Sequence, residues 1–380
     1  MHEITSWPPS DDPIPLLFDP GETVRRILER KRHYGISRIG SVTGLDWIGL
    51  PVVQVVRPGS LSVVVSQGKG LTPSLAAISG LMETLEGWAS ERIAGDRIVE
   101  GTFATMDPSG YWSYLGAPED AVVAWINGRD LISGRTMAVP LGLVDTVYTF
   151  ASPHPPFIPR DTTGLAASTS IENAVIHAGL ECLERHARCQ AMSMPHFFDR
   201  FQMDLGSIPS GAARGIVDRL ARTGFLVGIW QIPVPHELPV YWCHIMEDGS
   251  RTPFAPLPAE GFACGITHED ALTSALLEAC QSRLGVISAA REDISADLYQ
   301  FYQGNELADW RRQLQAGGRK PFQSDSAGKG QALKRVMWAL ELAGAKAAIV
   351  VVLHSDDSIP LHVVRVVTPP LQTNPEGLNA

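Results

Sequence analysis

Ser79, Glu83 and Glu86 stand at positions i, i+4 and i+7. His177, Glu181 and Glu184 repeat that spacing, and so do Ser274, Glu278 and Gln281. Residues three and four apart share a helix face, so each trio forms a polar stripe wherever its segment is helical. Asn173 extends the second stripe by one turn. If the three helices converge, five carboxylates meet, and like charges held close push each other's pKa up and call for cations. Carboxylate oxygens without a cysteine cluster select a hard ion, Mg²⁺ or Mn²⁺, rather than zinc, and Mg²⁺ commonly bridges carboxylates to phosphate oxygens. Arg185 follows Glu184 directly; it is suited to phosphate as a bidentate donor, or it neutralises the glutamates as a structural network. The residues alone point to a metal-dependent enzyme that handles phosphates.

Three helices must carry these stripes, and each has its own start signal. Ser170 opens the first, over residues 168–187, as an N-cap. Thr72-Pro73 opens the second with proline at the first helical position. Thr267, with Asp270 three residues on, opens the third as a capping-box-like pair. All three are rich in Ala, Leu, Ile and Met and nearly free of Lys, so they are half-buried elements and not solvated faces. Gly68-Lys69-Gly70 precedes one of them. A lysine between glycines ahead of a helix suits phosphate, and a plain tight turn accounts for it equally; the spacing of a P-loop is absent.

The rest of the chain frames these helices. Residues 1–18, Pro-rich and acidic, are expected as a draped arm, and 23–34 as a surface helix. Strands are expected over 36–42, 51–58 and 60–66, then over 121–126 and 136–140 around an Asn127-Gly128 turn. A Pro-rich loop spans 153–159. Residues 208–224 read as a helix, 225–231 and 240–246 as strands, 306–330 as a mobile polar insertion, 336–344 as a helix, and 347–353 and 361–367 as strands. The pattern is mixed α/β without a strict βαβ period or a clean domain boundary. The chain has 380 residues, 44% hydrophobic and 19% charged, with net charge −10. That balance disfavours nucleic acid, which needs a basic surface, and no apolar run is long enough to span a membrane. The N-terminus lacks the pattern of a signal peptide. Five cysteines with no C-x-x-C pair fit a reducing cytoplasm and argue against zinc and disulfides.

Several motifs, taken in order, resemble the YcaO family over about residues 19–371. They run from Ile36-Ser-Arg-Ile-Gly and Val42-Thr-Gly-Leu-Asp-Trp-Ile-Gly-Leu-Pro-Val through Ser66-Gln-Gly-Lys-Gly-Leu-Thr and Ser79-x-x-x-Glu83-x-x-Glu86. Gly164-Leu-Ala-Ala, Glu181-x-x-Glu184-Arg185, Glu278-Ala-Cys-Gln-Ser-Arg283 and Arg291-Glu-Asp follow. The resemblance implies a YcaO-type fold, with carboxylate-bearing helices around a central ATP and Mg²⁺ site, flanked by the 1–18 arm and a 372–380 tail. It places Glu83, Glu86, Glu181, Glu184 and Glu278 at the metal and Arg185 at the phosphates, with Glu83, Glu181, Glu184 and Arg185 as the catalytic set. Thr23, Lys69, Ser79, Thr169, Asn173 and Ser274 fall at or near nucleotide positions. Thr169 stands where Asn is common, Asn173 where a carboxylate is common, and Ser274 where Arg or Gln is usual; Gly87 replaces the Arg of some relatives.

The family activates a peptide backbone amide by phosphorylating its oxygen, which converts a very poor leaving group into a good one. A Cys, Ser or Thr side chain as nucleophile gives an azoline, an amine gives an amidine, and sulfide gives a thioamide. Residues 368–380 lack the Pro-x-Pro-x-Pro tail of azoline formers, and no separate peptide-recognition domain is evident. Both features resemble members that work beside a TfuA-type partner as thioamide formers. The expected substrate is a peptide or protein, and a homodimer is compatible with this reading. The alternatives are an azoline-forming cyclodehydratase and a non-catalytic nucleotide-binding accessory protein.

Overall fold

Three antiparallel sheets position the helices. The first is β1 (Arg38–Ser41), β2 (Val52–Val56) and β3 (Val65–Lys69), in that order. The second runs β4 (Ile98–Thr102), β5 (Val122–Asp130), β11 (Ile349–Asp356), β12 (Leu361–Val367) and β7 (Leu165–Ser168), with β6 (Thr136–Pro140) also on β5. The third is β10 (Ala259–Cys264), β9 (Val240–Glu247) and β8 (Phe225–Ile232). The computed structural model describes residues 20–250, 258–292, 294, 305–325, 331–356 and 358–373. The expected arm at 1–18, Asp293 of the Arg291-Glu-Asp motif, residues 326–330 of the expected insertion, and 374–380 of the tail lie outside the described residues.

Helices cover these sheets. They are α1 (Pro20–Glu29), α2 (Pro73–Ser90), α3 (Phe103–Met106), α4 (Ile171–Met192), α5 (Phe197–Arg200), α6 (Ala212–Arg222), α7 (His268–Ser288), α8 (Asn305–Ala316) and α9 (Ala332–Leu342). Strand β9 shows why both faces of the third sheet must be covered. Its Val240, Trp242 and Met246 join one apolar cluster, with α4 and α9. Its Tyr241, Cys243 and Ile245 join another, with α6 and α7. Successive side chains of a strand point to opposite faces, so a strand buried at every position needs packing on both. All five cysteines are buried and unbonded to one another. Among the described residues, no helix is long and apolar enough to cross a membrane.

Several expectations need correction. Asn127-Gly128 is no turn: β5 runs through it, pairing Asn127 with Ala138 and Gly128 with Met137. Glycine is required there because Ile349 and Val350 of β11 press on the place a Cβ would take. The strand expected over 60–66 begins only at Val65. Buried Glu91 takes the Leu61 and Ser62 N–H groups on one carboxylate oxygen, together with the Ser60 and Ser62 hydroxyls, and this holds the segment out of the sheet. Lys69 ends β3 and is not the tip of a glycine turn. Of the expected mobile insertion, residues 306–316 belong to α8, which packs on β8 through Leu314 and Trp310 in the larger core.

Candidate active site

The three stripes sit on α2, α4 and α7, and the helices begin alike. Thr72, Ser170 and Thr267 are N-caps, and each hydroxyl accepts the backbone N–H three residues on, from Leu75, Asn173 and Asp270. Counted from each cap, the stripe residues fall seven, eleven and fourteen positions later. Each helix follows an edge strand of a different sheet: β3, β7 and β10. Each also leans on the next unit's strand, α2 on β7, α4 on β10 and α7 on β3, so the three units close a ring.

The polar contacts follow that ring. The glutamate eleven positions after each cap accepts an N–H from the strand or turn before its own helix. Glu83 takes Gln67, Glu181 takes Gly164 at 3.1 Å, and Glu278 takes Phe262. The residue three further on turns to the neighbouring unit: Glu86 accepts Ala167 N–H at 2.8 Å, and Gln281 Nε2 donates to Gln67 O at 3.3 Å. Glu184 lies beside Cys264 of β10. Gly68 makes this possible in the first unit, because α2 lies so close that a Cβ would overlap Ala76 O and Gly80 N.

Three cations face the five acids. Lys69 Nζ is 2.6 Å from Glu278, Arg291 Nη1 is 3.4 Å from Glu83, and Arg185 lies 3.5 Å from Glu181 and 3.7 Å from Glu184. Side-chain exposure runs from 11% for Glu184 to 36% for Glu83, so protein crowds these groups and water still reaches them. That combination defines a cleft and not a core. The charge imbalance shows in the titrations. Burial pushes Glu184 up to about 7, with Glu278 and Glu181 adding to it against the pull of Arg185. Burial also raises Glu83, and it carries Glu86 well above the usual carboxylate range with Glu83 and Glu181 adding to it. Glu278 goes the other way: burial opposes it, but Lys69 and Arg185 hold it below the ordinary value. Arg185 is raised by Glu184, Glu181 and Glu278 over its own loss of hydration.

All five glutamates, Arg185 and Lys69 are thus brought together. Among the described residues, no three acids, histidines or cysteines surround one point as a bound ion requires. The carboxylates are turned to lysine, arginine and backbone N–H groups instead. Their chemistry still fits a hard divalent cation: oxygen donors only, more acids than basic partners, and ionisation costs that a cation would relieve. Of the expected nucleotide residues, Ser79, Thr169, Asn173 and Ser274 lie on or at the start of the helices that carry the acids. Ser79 is half-buried and Ser274 exposed, each one turn before its glutamate, and Thr169 and Asn173 flank the cap of α4. Thr23 is buried on α1, which packs against α2. None of these five bonds to an acid of the cleft among the described residues. Sequence reasoning did not assign Arg291 or Gln67 to the site. Both lie in the motifs quoted above, but neither sits on a carboxylate helix, and only tertiary contact reveals them.

A family model described as YcaO cyclodehydratase, ATP- and Mg²⁺-binding, matches residues 67–372. An uncharacterized protein of Mycobacterium tuberculosis is 33% identical over 276 residues, which is 70% of this chain and 60% of that protein. The chain therefore spans about three fifths of that relative's length. A Rhizobium leguminosarum bv. trifolii protein, described by its place in a tfuA 3′ region, is 28% identical over 377 residues, covering 94% of this chain and 89% of its own length. Among solved structures, that of YcaO from Methanopyrus kandleri bound with AMPPCP and Mg²⁺ has a TM-score of 0.69 at 22% identity, covering 95% of this chain and 93% of that one. It shares the fold.

Proposed function

This chain belongs to the YcaO family, and from that premise we propose that it activates a peptide backbone amide by ATP-dependent O-phosphorylation. The observation that carries the reading is the ring of three equivalent strand–helix units that delivers Glu83, Glu86, Glu181, Glu184 and Glu278 to one cleft with Lys69 and Arg185. In this reading the five glutamates hold Mg²⁺, which supplies charge screening for phosphate when bound. Arg185, kept protonated by the surrounding acids, presents its guanidinium to phosphate oxygens. Lys69, now on Glu278, is the second cation within reach of them. Glu83, Glu181, Glu184 and Arg185 form the catalytic set. Thr23, Ser79, Thr169, Asn173 and Ser274 lie around them as the nucleotide side of the cleft.

The product assigned is a thioamide, made with a TfuA-type partner. Support comes from the relative described by its place in a tfuA 3′ region, which matches along nearly the whole chain. A second reading, azoline formation, is favoured by the family's description as cyclodehydratase. Mass spectrometry of peptides incubated with the protein, a TfuA-type partner, ATP, Mg²⁺ and sulfide separates them. A thioamide is heavier by the difference between sulfur and oxygen, and an azoline is lighter by one water. No ATP consumption with or without peptide and partner would return the protein to the accessory, non-catalytic class.

A further inference from the structure

Two members of the three polar stripes have no task in the reaction scheme. Gln281 is tied to the Gln67 carbonyl, which leaves His177. It stands one turn before Glu181 on α4, where the charges of Glu181, Lys69 and Glu278 act on it. Its side chain is exposed, and among the described residues it makes no hydrogen bond or ion pair. A reactant entering the cleft can meet the ring without displacing a protein partner.

The ring of three units supplies a comparison within the molecule. Seven positions after each cap stand Ser79, His177 and Ser274, and fifteen after stand Gly87, Arg185 and Ser282. At both places α2 and α7 carry small residues where α4 carries an imidazole and a guanidinium. These two groups bracket Glu181 and Glu184. Arg185 answers to phosphate, but an imidazole does something different, since it takes up and gives back a proton near neutral pH. In the proposed reaction the glutamates are committed to cations, and Lys69 and Arg185 are already protonated. His177 is the uncommitted proton acceptor of the stripes. The protein around the ring holds it below the ordinary histidine value, Lys69 adds to this, and Glu181 and Glu278 oppose it, so it stands neutral near pH 7.

We propose, resting on the amide-activation reading, that His177 is a catalytic residue that takes the proton of the attacking atom. In the thioamide course, sulfide has added to the amide carbon and the former carbonyl oxygen carries phosphate. The S–H electron pair forms the second C–S bond, the C–O bond leaves with its electrons as phosphate, and the proton goes to the ring. In the azoline course, a side-chain S–H or O–H gives its proton to the ring as its sulfur or oxygen bonds the amide carbon, and the carbonyl π pair moves onto oxygen. Being exposed, the ring then returns the proton to water.

The test uses the whole protein with a TfuA-type partner, ATP, Mg²⁺, sulfide and a pool of N-acetylated, C-amidated peptides that includes Cys, Ser and Thr. His177→Gln keeps a hydrogen-bonding group without the proton acceptor, and product formation should fall about a hundredfold or more. Binding of a non-hydrolysable ATP analogue should match the parent's. In His177→Ala, added imidazole should restore part of the rate in proportion to its neutral form, a response that a merely structural residue would not give. A Gln variant as fast as the parent overturns the proposal. So does an Ala variant that imidazole leaves unchanged, or a loss of analogue binding that accounts for the lost rate. Melting curves report folding, and if the Ala variant does not fold, the Gln variant still decides. A parent protein that modifies no peptide refutes the amide-activation reading and takes this proposal with it, whereas an active parent with an equally active Gln variant refutes the role of His177 alone.

Discussion

Replacing Glu184 by Gln should stabilise the ligand-free protein while ending its ATP-dependent activity. Glu184 is 8% exposed, and its carboxyl is pushed up to about 7 chiefly by burial. An unfolded glutamate titrates near 4.3. An acid with a raised folded pKa destabilises the fold once ionised: the cost is absent below about 4.3, grows as pH rises, and is complete above about 7. The gap corresponds to roughly 3–4 kcal/mol at pH 8. Gln keeps the shape and removes the charge, so Glu184→Gln should recover most of that difference. With an unfolding entropy of about 2.1 cal/mol/K per residue, the gain amounts to a rise in Tm of about 4 °C for a chain of this length. Scanning calorimetry of EDTA-treated protein at pH 8 and pH 5 reads the effect, and the advantage should fall to roughly a quarter at pH 5. Adding Mg²⁺ and ATP should raise the Tm of the unaltered protein more than that of the variant. A variant that melts lower than the parent at pH 8 without metal would refute the reasoning, because Glu184 would then be a net stabilising partner of Arg185.

Lys69→Met should lift the pKa of Glu278, which Lys69 holds down, and weaken nucleotide binding by at least about tenfold, measured by calorimetric titration of a non-hydrolysable ATP analogue. Gly164→Ala meets both a left-handed backbone and the Val366 carbonyl, and should lower stability by about 2–4 kcal/mol in denaturant titration. Removing residues 374–380 should leave peptide modification intact, whereas cutting back to Pro369 should also destabilise the fold, because Leu371 is buried in the core and Thr373 bonds Asp161. Loss of activity in the shorter truncation, with folding and ATP binding retained, would favour the azoline reading of the product.

The carboxylate stripes were legible because they rest on local rules. An N-cap, a proline at the first helical position and a period near 3.6 all lie within one segment, and all three helices form where those signals stand. Errors came where a residue's reason was a distant one. Gly128 resembles a turn residue, but it is small because β11 presses on it. Gly68 and Gly70 flank Lys69 because α2 lies almost on the backbone. Glu91 keeps 60–62 out of the sheet from thirty residues away. Arg291 and Gln67 belong to the cleft through contacts with partners about 200 residues distant. The family resemblance foresaw the convergence of the acids; composition and periodicity supplied the stripes but could not say that they meet.

The ring of three units has a consequence for how the protein comes into being. Its last joint joins β3 to α7, elements at opposite thirds of the chain, and such long-range closure is slow because the intervening loop must first be ordered. During synthesis Glu83, Glu86 and Lys69 emerge well before Glu278 and Arg291, at rates of about 5–20 residues per second. A nascent chain therefore carries four of the five acids without the last helix that completes their enclosure. The cleft can gain its full charge pattern only when translation has passed α7, so a truncated product of a stalled ribosome would be unable to assemble this site.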